Sequence, residues 1–322
     1  MKRLHHYVPI DDIVGRITYN PDVELPQIVL GIGPVRSGTT ASLRVYGQSG
    51  VPAYSQPIKS IFRHLAKGKP LQECGWAIPA ADCIYIKETL GLLNAEESFL
   101  NPLDVLFQVI QKGLGSRGTG KDVIHRSLDL LASKVHVVVL GRNPFDSWYS
   151  VDGTLRKLLE NVSQEESWYY ETTYVAALES HIYAYRSVDN LRSYAQHLGI
   201  PVSHYVAEAN TVADVAYRRL FQRIGLEMEP CVHGWTERSL VGAPRSHVIV
   251  SSDHLAQQRA GLFEPVNQSS GVKYVPGSGG RLAAAIKNKI VDAGLMQIYE
   301  RWLLNTKAEL DIDFYVDMSV EP

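Results

Sequence analysis

Residues 27–43 read Gln-Ile-Val-Leu-Gly-Ile-Gly-Pro-Val-Arg-Ser-Gly-Thr-Thr-Ala-Ser-Leu, and the fold turns on how they are parsed. Ile28, Val29, Leu30 and Ile32 predict a short buried strand, and Gly33 to Gly38 a tight turn. Thr39 onward, through Leu43 and Val45, predicts the start of a helix. Strand, glycine-bounded loop and helix N-terminus together make an anion site. The first-turn N–H groups have no helical partner there, and the helix dipole favours negative charge. Thr39 and Thr40 add hydroxyl donors, and Arg36 adds a cation able to bind two oxygens at once. A purely structural strand-to-helix turn is the plainer alternative. The basic residue, two glycines and two threonines gathered in one stretch favour the anion site.

The loop departs from that of the nucleoside triphosphatases. Their pattern places Lys right after the second Gly and uses the next hydroxyl to hold Mg²⁺. Here Thr39 stands in the lysine position, and the cation lies two residues before Gly38, at Arg36. A transferring phosphoryl group carries two negative charges and usually needs a metal. A sulfuryl group carries one, so Arg, Lys and backbone dipoles suffice. The loop suits a phosphate held without a metal.

Pro34-Val35-Arg36-Ser37-Gly38-Thr39-Thr40 resembles the 5′-phosphosulfate-binding loop of the sulfotransferases, whose donor is 3′-phosphoadenosine 5′-phosphosulfate (PAPS). The family form is Pro-Lys/Arg-Ser-Gly-Thr-Thr, so Val35 is an insertion between the proline and the basic residue. The resemblance implies that Arg36, Ser37, Gly38, Thr39 and Thr40 contact the donor.

A second strong signal lies at Val135 to Ser150. Val135 to Leu140 is an uninterrupted β-branched run of the kind buried in a parallel sheet. Asn143 suits a helix N-cap, Pro144 the first helical position and Asp146 the first turn. This segment resembles the family's 3′-phosphate-binding sequence Arg-Asn-Pro-x-Asp-x-x-x-Ser. The match implies that Arg142 and Ser150 bind the 3′-phosphate.

Between the two lies Cys83-Ile-Tyr-Ile-Lys87-Glu88-Thr89, a second buried strand ending in charge. Ligands of open α/β sheets bind outside the carboxyl ends of the strands, where Lys87 and Glu88 fall. In the cytosolic sulfotransferases the corresponding strand ends in Lys-Thr-His. The resemblance gives Lys87 the sulfuryl-binding role, while Thr89 replaces the catalytic histidine. Glu88 then becomes the candidate base; an ion pair holding Lys87 in place is the competing role, and His64 or His125 are alternative bases. Lys273 or Arg281 would supply the family's mobile basic loop over the 3′-phosphate, although its Arg-Lys-Gly signature is absent.

The remaining sequence reads as scaffold. Ile58, Ile61, Phe62 and Leu65 follow helical spacing, with Lys59, Arg63 and His64 as a solvated basic face; Gln56, Lys59 and His64 as pocket residues are the alternative. Residues 98–134 read as helix with a flexible glycine-rich connector at 113–121, and Trp168 to Tyr194 as a long helix whose tyrosines belong to the core. Val202 to Glu208 reads as a strand, Val212 to Ile224 as a helix closed by Gly225, and Leu282 to Leu304 as the terminal helix. His5-His6 reads as a solvent-exposed pair.

At 322 residues, 45% hydrophobic and with a net charge of −2, the chain has ample core and no global field for nucleic acid or anionic lipid. No apolar run approaches a membrane span, and the N-terminus lacks a signal-peptide stretch. Three cysteines in no paired motif predict reduced thiols and a cytoplasmic protein. Three parts follow: an N-terminal surface arm at 1–26, one α/β domain at 27–310, and a tail at 311–322. The strand–helix alternation predicts a three-layer sandwich around a central parallel sheet, of P-loop type. The function implied is transfer of the sulfuryl group of PAPS, leaving the 3′,5′-diphosphate PAP, without a metal. The acceptor would be a hydroxyl, or second an amine, of a small molecule such as a natural product. A metal-dependent nucleotide kinase or phosphotransferase and a non-catalytic nucleotide-binding module are the alternatives.

Overall fold

The computed structural model describes residues 8–68, 74–91, 95–115, 120–161, 174–235, 269–275 and 279–316. His5-His6, connector residues 116–119, the predicted helix start at Trp168, and the tail beyond 316 lie outside them. In chain order the strands are β1 (Ile17–Thr18), β2 (Gln27–Pro34), β3 (Ala53–Ser55), β4 (Trp76–Ala77), β5 (Cys83–Leu90), β6 (Val135–Gly141) and β7 (Val202–Val206). The helices are α1 (Ile10–Val14), α2 (Thr39–Gln48), α3 (Pro57–Ala66), α4 (Pro102–Leu114), α5 (Gly120–Lys134), α6 (Pro144–Asn161), α7 (Tyr174–His197), α8 (Ala213–Ile224), α9 (Ala284–Asp292) and α10 (Leu295–Leu310).

Five strands form one parallel sheet in the order β3-β5-β2-β6-β7, with helices on both faces. Parallel neighbours need crossovers, which the intervening helices supply, and their cover on both sides explains why every residue of β6 is buried. The register sets Gly31 opposite Lys87 and Ile32 opposite Glu88, so β2 and β5 end together at one edge. On one face Tyr85 of β5 stacks on Tyr46 of α2, with ring centroids 3.9 Å apart. On the other, Tyr185 of α7 stacks on Trp302 of α10 at 5.6 Å. Among the described residues no helix is long and apolar enough to cross a membrane.

Three expectations need correction. Residues 8–26 are not a surface arm, because Ile13, Val14, Ile17 and Leu25 are buried in the main core and β1 pairs with β4. The terminal helix is two helices, broken at Gly294 with its φ of 77° and continuing to Leu310. Lys59 and Arg63 are not a solvated face: both are buried against Glu97.

Candidate functional site

The loop between β2 and α2 is held in a shape that few sequences tolerate. Arg36 has φ 69° and Gly38, the N-cap of α2, has φ 85°. The left-handed region costs a non-glycine residue roughly 1–2 kcal/mol, and such strain clusters at ligand clamps. A Cβ on Gly33 would stand 2.5 Å from the Leu140 carbonyl and 2.6 Å from Ser37 Oγ, so the loop lies directly on β6. Ser37 Oγ donates to the Pro34 carbonyl at 2.7 Å, and Ser147 Oγ of α6 donates to the Val35 carbonyl at 3.1 Å. Ser37 therefore shapes the loop with its hydroxyl. The first-turn amides of α2 and the Thr39 and Thr40 hydroxyls follow immediately.

Three cations meet at this loop from three elements. Arg36 Nε donates to Ser150 Oγ of α6 at 2.8 Å. Arg142, at the end of β6, reaches the Arg36 carbonyl through Nη1 at 3.5 Å and the Val275 carbonyl through Nη2 at 3.3 Å. Its Nε is buried without a partner. Lys87 Nζ lies 3.5 Å from Thr40 Oγ1, and the residue is only 3% exposed. Among the described residues none of the three forms an ion pair. Burial, and then the neighbouring Arg142 charge, lower Arg36 to about 10. Burial, and then the Lys59 charge, lower Lys87 to about 7. Concentrated positive charge without a counter-charge is what an anion would relieve.

Scaffold contacts fix Arg142 from behind. Tyr185 donates from its hydroxyl to the Arg142 carbonyl at 2.7 Å, which gives this core tyrosine a positioning part. Glu208 accepts from the Asn143 amide at 2.9 Å, and Asn143 Oδ1 accepts from the Phe145 amide at 2.9 Å, which together secure the start of α6. Asp146 accepts from the Gly279 amide at 2.9 Å, so the segment before α9 is tied to the same turn.

Glu88 is not brought to the loop. Neighbours along a strand point to opposite faces, so Lys87 faces α2 while Glu88 faces α3. Its two carboxylate oxygens accept from the Ile58 and Lys59 amides at 2.8 and 3.3 Å, capping α3. Burial pushes Glu88 up to about 7, against the lowering pull of the Ile58 amide and of Lys59. Thr89, which shares the Lys87 face, donates to Gln56 Oε1. Gln56 itself has φ 56°. His64 is half-buried on α3 and His125 is exposed on α5; Lys273 and Arg281 are both exposed.

The sequence reading misses the Val275 carbonyl on Arg142 and the Ser147 link, neither of which has a side-chain signature at a distance. Among the described residues no group of three His, Cys, Asp or Glu side chains is placed to hold a metal ion. The chain matches no protein-family model, and no curated protein matches it.

Proposed function

We propose that the protein is a PAPS-dependent sulfotransferase acting on a hydroxyl, or second an amine, of a small-molecule acceptor such as a natural product. One observation supports this most: Arg36, Lys87 and Arg142 converge on a single glycine-bounded loop with no carboxylate paired to any of them among the described residues. The donor set fits a nucleotide with phosphates at two positions. Arg142 and Ser150 would hold the 3′-phosphate. Arg36, Lys87, Thr39, Thr40, Gly38 and the first-turn amides of α2 would hold the 5′-phosphosulfate. PAPS supplies the activated sulfuryl group.

The chain's own groups then have defined work. Lys87 and Arg36 neutralise charge on the leaving phosphate, and the fixed amides do so at no reorganisation cost. Arg142 anchors the remote end of the nucleotide and so contributes to alignment. Glu88 contributes as the cap that fixes the junction of β5 and α3, in place of a base's role. Three cysteines in no paired sequence motif support a reducing compartment, the cytoplasm.

Thermal melting with 3′,5′-diphosphoadenosine, with and without EDTA, tests the reading. A site loaded at about 100 times its Kd adds about 2.7 kcal/mol of stability, and EDTA leaves that shift unchanged. No shift, or a shift seen only with ATP and Mg²⁺, overturns it in favour of phosphoryl chemistry. Turnover with a panel of alcohols, phenols and amines separates an enzyme from a binding module.

A further inference from the structure

Behind the anion loop, on the α3 face of β5, sits a group of buried charges with no part in holding the nucleotide. Lys59, fully buried, spends its three N–H bonds on the Thr89 carbonyl at 2.8 Å, the Gly91 carbonyl at 3.1 Å and Glu97 Oε2 at 2.8 Å. Arg63 grips Glu97 with both Nε and Nη2, at 2.6 and 2.8 Å. The Lys59 amide also donates to Glu88 Oε2 at 3.3 Å. Together these contacts tie the strand end that presents Lys87 to α3 and to the short 3₁₀ helix at Ala95–Phe99 that carries Glu97.

We propose that Lys59 is a positioning residue for anion capture that acts through Lys87: it pins the strand end from behind, and its charge makes the arriving anion bring a proton with it. The inference rests on the reading of the loop as a nucleotide site. The charged groups that act on Lys87 are Arg36 from the loop, Lys59 and Arg63 from α3 across the strand, and Glu88 from its own strand. Thr40 of α2 offers only a hydroxyl. These three cations are opposed by Glu88, already committed to two backbone amides, and by Glu97, which pairs with Lys59 and Arg63. An amine out of water among like charges favours its neutral form, whereas a phosphate within reach favours the ammonium. Near neutral pH the empty site therefore holds Lys87 as a mixture of charged and neutral forms, and an anion within reach shifts it to the charged form. Lys59 is the largest of the charged neighbours that set this balance.

Calorimetric titration of the full chain with 3′,5′-diphosphoadenosine, in two buffers of different ionisation enthalpy near pH 7.5, reads the proton uptake directly. At this pH the phosphates themselves are ionised, their second pKa being about 6. Wild type takes up between about one half and one proton per nucleotide. Lys87→Met takes up less than half of the wild-type amount. Lys59→Met takes up distinctly less than wild type, because removing the neighbouring charge leaves burial as the main force against the ammonium and Lys87 is more often protonated beforehand. Lys59→Gln keeps a donor for the Thr89 and Gly91 carbonyls and gives the same reduction, which covers the case in which the methionine variant does not fold. Nucleotide binding without proton uptake, or uptake in both Lys59 variants equal to wild type, overturns this inference and leaves the nucleotide site standing. Absence of nucleotide binding removes the site reading itself.

Discussion

Arg36 and Ser150, 114 positions apart in sequence, meet through a 2.8 Å hydrogen bond from the guanidinium Nε to the hydroxyl. The bond fastens the glycine loop to the second turn of α6 and leaves the two terminal nitrogens of Arg36 for a ligand. It also brings Arg36 beside Arg142, whose charge lowers it. Two guanidinium groups are kept together only if something else compensates them.

That relationship ranks two substitutions. Arg142→Met removes a charged donor and is expected to weaken 3′,5′-diphosphoadenosine by about 100-fold, as the loss of charge-assisted bonds of about 1.5–3 kcal/mol requires. Ser150→Ala loosens Arg36 without removing charge and is expected to cost about tenfold, roughly one hydrogen bond. Titration calorimetry measures both. If Arg142→Met binds as tightly as wild type, the second phosphate cradle does not exist.

Gly33 and Gly38 bound the loop for different reasons, and their alanine variants separate them. A Cβ at Gly33 meets a main-chain carbonyl of β6, which cannot move aside, so Gly33→Ala is expected to lose about 1–3 kcal/mol of stability. At Gly38 the nearest atom to a new Cβ is Ala207 Cβ at 3.6 Å, so only the φ of 85° opposes alanine. Gly38→Ala is expected to fold, at a cost of about 1–2 kcal/mol, with weakened anion binding. Urea midpoints and titration calorimetry together check this; a Gly33→Ala variant as stable as wild type would contradict the close approach to Leu140.

Much of this site is legible in the sequence because its determinants are local. The Pro34–Thr40 loop and the Arg142–Ser150 segment each carry strand end, turn chemistry and helix start within a few residues, and both fold as their spacing predicts. The period of two along β5 was equally available, and it separates Lys87 from Glu88; naming both for one site overlooks that alternation. Lys59 and Arg63 were illegible for another reason. Their partner Glu97 lies 34 residues beyond Arg63 in a short 3₁₀ helix, and nothing local marks a lysine as destined for a buried ion pair. The Val275 carbonyl on Arg142 leaves no sequence trace at all, since any residue offers a carbonyl.

Glu88→Gln tests the cap against the base. A cap predicts lost stability, about 1 kcal/mol or more, with nucleotide affinity within about threefold of wild type because the loop is on the other face. The folded-state value near 7 exceeds that of an unfolded glutamate, 4.5, so the folded form binds more protons between the two. The stability contributed by Glu88 is therefore fully present below about pH 4.5 and declines as pH rises through about 7. Wild type should lose stability over that window by more than Glu88→Gln does. Parallel profiles by chemical denaturation would show the carboxylate to be ionised throughout.

Glu97 runs in the opposite direction. Burial alone would raise it, but the Arg63 and Lys59 charges overcome burial and hold it at about 2, below the unfolded 4.5. Its contribution is thus present above about pH 4.5 and lost as pH falls toward 2, and a shift of that size corresponds to about 3 kcal/mol. Glu97→Gln leaves two buried cations poorly compensated and should cost about 3–5 kcal/mol at neutral pH. The gap between variant and wild type should then narrow on acidification, because protonation of Glu97 makes wild type resemble the variant. Urea midpoints at about pH 7, 5 and 3 decide the matter. A gap that stays constant, or a variant as stable as wild type at neutrality, would mean that the ion pairs behind β5 do not hold the strand end, and Lys87 would then owe its position to the sheet alone.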